Sequence, residues 1–239
     1  MRALLAQTRV ELTLTLRRGE SVLLALGIPV LLLGFFSIVD VLPTGRRRPV
    51  DFLAPGVLAL AVLSTAMVGL GIATGFERQY GVLKRLGTTP LGRPALLAAK
   101  TLSILAVEML QVAVLVVVAL ALGWHPHATP AAVPAMVLAT IGFAGLGLLM
   151  AGTLRAEAVL AAANGLYLVL LLLGGMVVPL SKLPGALRAV ARALPAAALS
   201  DALHAALGAG TNVPTRAWLV LIAWAIIGPA AAALTFKWE

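Results

Sequence analysis

Three groups of residues have types and spacings that chemistry could use. Gly87 and Gly92 sit in GTTPLGRP with the spacing of a phosphate-binding loop. Such a loop continues with a Lys that reaches the phosphates and a Ser or Thr whose hydroxyl holds magnesium. Arg93 and Pro94 occupy those two positions here. The loop should also follow a buried strand of a soluble α/β domain, whereas this one lies between two strongly apolar segments. Nothing in the chain is therefore expected to hydrolyse a nucleotide. Ser200 and His204, at i and i+4 beside Asp201, invite a hydrolase reading. No Gly-x-Ser-x-Gly context surrounds the serine, and no orienting third group is evident. His125 and His127 flank Pro126, but a histidine pair without a nearby carboxylate is a poor metal site. The chain has no cysteine, so disulfides and thiolate-ligated metals are excluded. No catalytic residue, no metal ligand and no bound cofactor are expected.

The elements that carry these residues follow from composition. Hydrophobic residues make up 61% of the chain and charged residues 11%. A soluble domain carries about 25% charged residues, so this chain cannot cover itself with polar surface and reads as an integral membrane protein. The net charge of +9 then reports orientation and contact with anionic lipid, not nucleic-acid binding. The first apolar segment contains Pro29 and no small-residue cleavage site follows it, so no removable signal peptide is expected.

A spanning helix needs about 20 mostly apolar residues. Six segments qualify: 21–41, 52–76, 101–123, 131–154, 158–178 and 215–236. The expected fold is a single all-α membrane domain over residues 1–239. An even number of spans puts both termini on one side. That side carries Arg2, Arg9, Arg17, Arg18, Arg78, Lys84, Arg85, Arg93, Lys100, Arg155 and Lys237. The other carries Arg46, Arg47, Arg48, Lys182, Arg188, Arg192 and Arg216. Basic residues favour the cytoplasmic face, which places the termini and the 77–100 loop in the cytoplasm. The Arg46–Arg48 triplet opposes this, with Asp40 and Asp51 beside it. Residues 1–20 read as an amphipathic helix on the inner surface, although ELTLTL alternates with a period of two, as a strand would. Residues 179–214 are too polar to span and read as short helices at the outer face, punctuated by Pro184 and Pro195.

The segment from Glu77 to Lys100 is the most charged run in the chain. Glu77 closes the second span, and RQYGVLKRL continues as an amphipathic run with Tyr80, Leu83 and Leu86 on one side. Pro90 then breaks the helix, and a basic stretch leads to Lys100. The reading is a short helix across the inner mouth of the bundle: either a lever for a cytoplasmic partner or a loop that only anchors orientation. Inside the spans, Glu108 lies about two turns into the third, with Gln111 one turn further on the same face. A carboxylate at the bilayer centre costs about 2.5–3.5 kcal/mol. Glu108 either contacts polar or cationic cargo, or snorkels and pairs with Lys100 or another helix. Asn164 and Tyr167 in the fifth span either line a cavity or bond between helices. Gly71, Gly75, Gly142, Gly145 and Gly147 read as helix-packing positions.

The residues Glu77-Arg78-x-x-Gly81-x-Leu83-Lys84-x-Leu86, with Pro90, Arg93 and Lys100, resemble the coupling segment of ABC-2 type permeases. So do Glu11–Arg18 leading into a Pro-containing first span, FLAPGVLAL opening the second, and LPAAALSDALHAAL before the last. His204 departs from the pattern, since relatives often carry Arg there. The resemblance implies the membrane subunit of an ABC exporter. It implies pairing with a second permease subunit, identical or sister, and docking of Glu77–Leu86 on a separate cytoplasmic ATPase that binds ATP and magnesium. Family cargoes include drugs, antibiotics, lipids and polysaccharides. The Ala/Arg-rich, Lys-poor composition fits a high-GC bacterium and hence its plasma membrane. The alternative is a membrane scaffold or sensor that binds a cytoplasmic partner without transport.

Overall fold

The computed structural model describes residues 2–17, 19–39, 48–87, 92–127, 129–176 and 179–236. Every regular element among them is helical. The first, α1 (Arg2–Arg17), is a helix despite the alternating ELTLTL. Its threonine hydroxyls fold back onto the helix: Thr8, Thr13 and Thr15 donate to carbonyls four residues back, at 2.8–2.9 Å. Gln7 and Glu11 face inward, while Leu5, Val10, Leu14 and Leu16 are exposed. Exposed leucines beside the exposed cations Arg9 and Arg17 make a surface suited to a membrane interface.

The bundle follows. Helix α2 (Gly19–Ile38) leads to α3 (Pro49–Leu63), which runs through a π-helical turn at Ser64–Gly69 into α4 (Leu70–Gln79). A short α5 (Val82–Gly87) precedes the long α6 (Arg93–Ala121). Then come α7 (Ala132–Thr153) and α8 (Ala156–Leu173), a 3₁₀ turn at Leu180–Lys182, α9 (Gly185–Ala191) and α10 (Pro195–Leu203). Helix α10 continues as a π-helical turn over His204–Ala209, and α11 (Thr215–Thr235) closes the bundle. Among the described residues, five helices are long and apolar enough to cross a membrane: Pro49–Gln79, Pro94–Ala121, α7, α8 and α11. In α2 the apolar stretch is Ala25–Ile38, and the end of the expected 21–41 span lies outside the described residues. The chain is an all-α, multi-pass membrane protein.

Several boundaries move from their expected places. The third span begins at Arg93, not residue 101, because Gly92 is extended and Pro94 pre-sets helical φ in the first turn. The expected 77–100 loop is therefore mostly helix: the end of α4, α5 and the start of α6. The second span is longer than 52–76, starting at Pro49 and ending at Gln79. The fifth is shorter than 158–178, running from Ala156 to Leu173.

The rod Pro49–Gln79 is the core. Every residue from Leu53 to Leu63 is buried, under α2, α6, α7 and α10. Against it packs α7, and α11 packs in turn against α7 at backbone distance. Gly142 faces Trp224, and Gly145 faces the Gly228–Pro229 peptide so closely that a Cβ there would overlap backbone atoms. Gly71 abuts Gly147, and Gly75 abuts Val159. Without a hydrophobic drive between helices in lipid, such close approach supplies the dispersion contacts that hold them.

Replacing Gly145 with Val should force α7 from α11, because backbone cannot yield as a side chain can. We expect a loss of about 1–3 kcal/mol, read as a lower Tm in lipid nanodiscs. An unchanged Tm would contradict the packing described.

Candidate functional site

One end of the bundle is organised by Lys100. Its side chain is 1% exposed, and its Nζ donates to Glu11 Oε2 at 2.9 Å and Glu77 Oε2 at 2.6 Å. Gln7 Nε2 donates to the other Glu11 oxygen at 2.8 Å. One ammonium thus joins three elements: α1, the end of α4 and the first turns of α6. A buried ion is tolerated only when paired and hydrogen-bonded, so these elements are held in one arrangement. The sequence pattern singled out Lys100 and Glu77. It did not point to Glu11 as the third member, because charge and periodicity carry no information about contacts 89 positions apart.

The chain turns just beyond Glu77. Tyr80 ends α4, and Gly81 at φ +72° reverses the direction. That left-handed residue corrects the expected amphipathic run, because Tyr80 belongs to a different helix from Leu83 and Leu86. Tyr80 is 73% exposed and stacked on Phe76, Leu83 is fully buried and Leu86 half-buried. Val82, Lys84 and Arg85 are exposed on α5. Arg78 Nη2 donates to Leu154 O at 2.5 Å, closing the end of α7, and Gln79 Nε2 donates to Glu157 Oε1 at 2.9 Å. The end of α4, from which α5 extends, is therefore tied to α6, α8 and the end of α7, while Val82, Lys84 and Arg85 are exposed to solvent. Pro90 lies outside the described residues, and Arg93 is the first residue of α6.

Beside the ion cluster a cleft of about 810 Å³ runs from Glu77 and Lys100 to Leu60 and Ser64 at mid-depth. Asn164 and Tyr167 line it from α8. The other two polar positions singled out in the spans lie elsewhere. Glu108 sits near the midpoint of the 29-residue α6, about 22 Å along the helix from its start. It is buried and shares a 2.5 Å hydrogen bond with Thr140 of α7. Lys100 is already engaged, so Glu108 bonds a neighbouring helix at depth and does not snorkel. Gln111 accepts from Thr65 at 3.0 Å and donates to Ala25 O at 2.6 Å, tying α6 to the π-turn and to α2. Neither residue lines the cleft.

The opposite end contains the Ser200–His204 pair. Ser200 is 2% exposed, its Oγ lies 3.3 Å from His204 Nδ1, and His204 Nε2 faces Phe52 O at 3.0 Å. Asp201 pairs with Arg216, not with the imidazole. A buried serine with its base turned to a backbone carbonyl has no nucleophile to offer. The pair pins the turn after α10 to the start of α3, with the imidazole against the Phe52 ring. Burial lowers the His204 pKa below its ordinary value, and raises that of Asp201 against the pull of Arg216. No group of three or more His, Asp or Glu able to hold a metal occurs among the described residues. His127 instead uses its backbone N–H on Leu207 O.

The all-α membrane bundle agrees with one comparison. The family model for the ABC-2 type transporter matches residues 2–207. The chain belongs to the ABC-2 type transporter family. It is the membrane, permease component of such a transporter, in a family whose permeases lack the ATPase site and usually work with a cytoplasmic ATPase. None of the curated proteins compared with the chain matches it.

In this ABC-2 permease the His204 ring should weaken the fold in acid. Its folded pKa lies below the unfolded value of about 6.5, so the unfolded chain binds more protons there. The stability it contributes is complete above that value and is lost as pH falls through the window below it. Asp201, shifted upward, acts with the opposite sign. Thermal unfolding of the parent and His204→Gln at pH 7 and pH 5 should give a smaller acid loss for the variant. Equal losses would show that His204 does not titrate differently on unfolding.

Proposed function

We propose that the chain is the permease subunit of an ATP-driven exporter, moved through Glu77–Leu86 by a separate cytoplasmic ATPase. In this reading both termini and α5 lie in the cytoplasm of a bacterial cell. A second permease subunit, identical or sister, completes the path across the plasma membrane. ATP and magnesium bind the partner ATPase, not this chain.

The observation that carries the reading is the division of α5 into a fixed base and a bare face. Leu83 is sunk in the bundle, while Val82 on α5 is 42% exposed and Tyr80, in the turn just before it, 73% exposed. Arg78, Gln79 and Lys100 fasten the flanking turns to α7, α8, α6 and α1. A load applied to the bare face therefore reaches four helices without a soft joint. Closure of the ATPase pair presses two such faces together and favours one arrangement of the bundle, and hydrolysis releases it. The ATPase biases a two-state element and this chain supplies the element. Family cargoes of the kinds named above remain the expected class.

The test uses the absence of native cysteine. Cysteines introduced as Tyr80→Cys or Val82→Cys should crosslink to a P-loop ATPase and react with maleimides only from the cytoplasmic side. Leu83→Cys, being buried, should do neither until the chain unfolds. Reaction of Val82→Cys only from outside, or capture of no ATPase by either exposed position, would overturn the reading.

A further inference from the structure

We propose that the cleft beside Lys100 binds an uncharged, largely apolar molecule of drug size, held by hydrogen bonds to Tyr167 and Asn164. This deepens the transport reading and rests on it for the direction of movement, though the binding itself does not depend on an ATPase. The size fits: about 810 Å³ falls in the range of about 300–1,000 Å³ typical of small-molecule sites. So does the wall. From α2 come Ala25, Ile28 and Pro29, and from the rod Val68 and Ile72, none with a polar side chain.

The polar groups in the lining decide the ligand class, because most are already engaged within the chain. Thr65 donates to Gln111, Ser64 to Ala61 O and Ser103 to Lys100 O. Lys100 holds Glu11 and Glu77, so each of these ions already has its partner within the chain. Besides the Tyr80 hydroxyl at the exposed mouth, two groups on the wall are left over. The Tyr167 hydroxyl makes no hydrogen bond among the described residues, and Asn164 donates Nδ2 to Leu160 O, which leaves its Oδ1 as an acceptor. They lie one turn apart on α8, giving one donor and one acceptor in an apolar wall. A sugar chain buries many hydroxyls, and each one left unpaired costs about 1–3 kcal/mol. Two partners cannot serve it. A lipophilic molecule with one carbonyl or hydroxyl is satisfied. At the mouth the Phe76 and Tyr80 rings stack with centroids 6.1 Å apart, a platform that favours a planar aromatic ligand.

The full chain in lipid nanodiscs tests this with Nile red, an uncharged planar dye bearing a carbonyl. Ile72→Cys reports the cleft and Leu172→Cys the exposed outer side of α8, where the residue is 71% exposed. Nile red should slow maleimide modification of Ile72→Cys and leave Leu172→Cys unchanged. Maltotriose and the cation ethidium should not protect. Adding Tyr167→Phe should raise the half-protecting dye concentration about two- to tenfold, the loss of one neutral hydrogen bond. Equal slowing at both positions, equal protection by ethidium or maltotriose, or no shift with Tyr167→Phe would each overturn the proposal. Failure of the Val82→Cys crosslink with dye protection intact would strike the coupling reading and leave this one standing. The reverse pattern would strike this one alone.

Discussion

A buried ammonium shared by two carboxylates holds this molecule's working end together. Lys100 sits on α6, Glu11 on α1 and Glu77 at the end of the central rod. Removing Lys100 leaves two carboxylates without their shared cation, in a medium where an unpaired ion costs several kcal/mol. The surface helix α1, the end of α4 and the start of α6 are therefore tied into one unit. Gly81 then redirects the chain so that α5 stands on this cluster with Leu83 as its root. The cleft opens directly above, with Glu77 and Lys100 at its floor. In the proposed reading, force transmission, ligand space and the fixed charge cluster share a few residues.

A second polar layer crosses the bundle near mid-depth. Gln111 bridges Thr65 and the Ala25 carbonyl, and Glu108 meets Thr140. Interhelical bonds in membranes average well under 2 kcal/mol each, so this layer tunes registration more than it holds the bundle. Thr65 lies in the π-turn of the rod, where the widened backbone locally changes the helix register. Tight glycine contacts between α7 and α11 form a stiff wall on the other side. The bundle is close-packed on that side and open between α2 and α8, and that asymmetry creates the cleft.

Much of this was legible in the residues, for physical reasons that differ by element. Span positions follow from hydrocarbon thickness, so 131–154 and Ala132–Thr153 nearly coincide. Gly71, Gly75, Gly142, Gly145 and Gly147 read as packing sites, and each does meet another helix, because small residues in apolar helices allow close approach. Asn164 and Tyr167 are on the cleft wall, one of the two readings their place in the fifth span allowed. The partner of Lys100 in α1 was not legible, since pairing across the chain depends on how α1 lies against α6. Glu108 was read as near the end of its span because Pro94 was not taken as a helix start. Starting α6 at Arg93 moves it to the middle. Tyr80 was grouped with Leu83 because a periodicity count passes over a glycine that reverses the chain.

The claim that Lys100 is a charged tie between two carboxylates is tested most directly by a stability cycle. Unfolding free energies would be measured in lipid nanodiscs for Lys100→Met and for Lys100→Met combined with Glu11→Gln and Glu77→Gln. The account predicts that Lys100→Met alone loses about 3–5 kcal/mol, and that neutralising both carboxylates in the same chain recovers most of it. Additive losses, with the triple variant less stable than Lys100→Met, would contradict it.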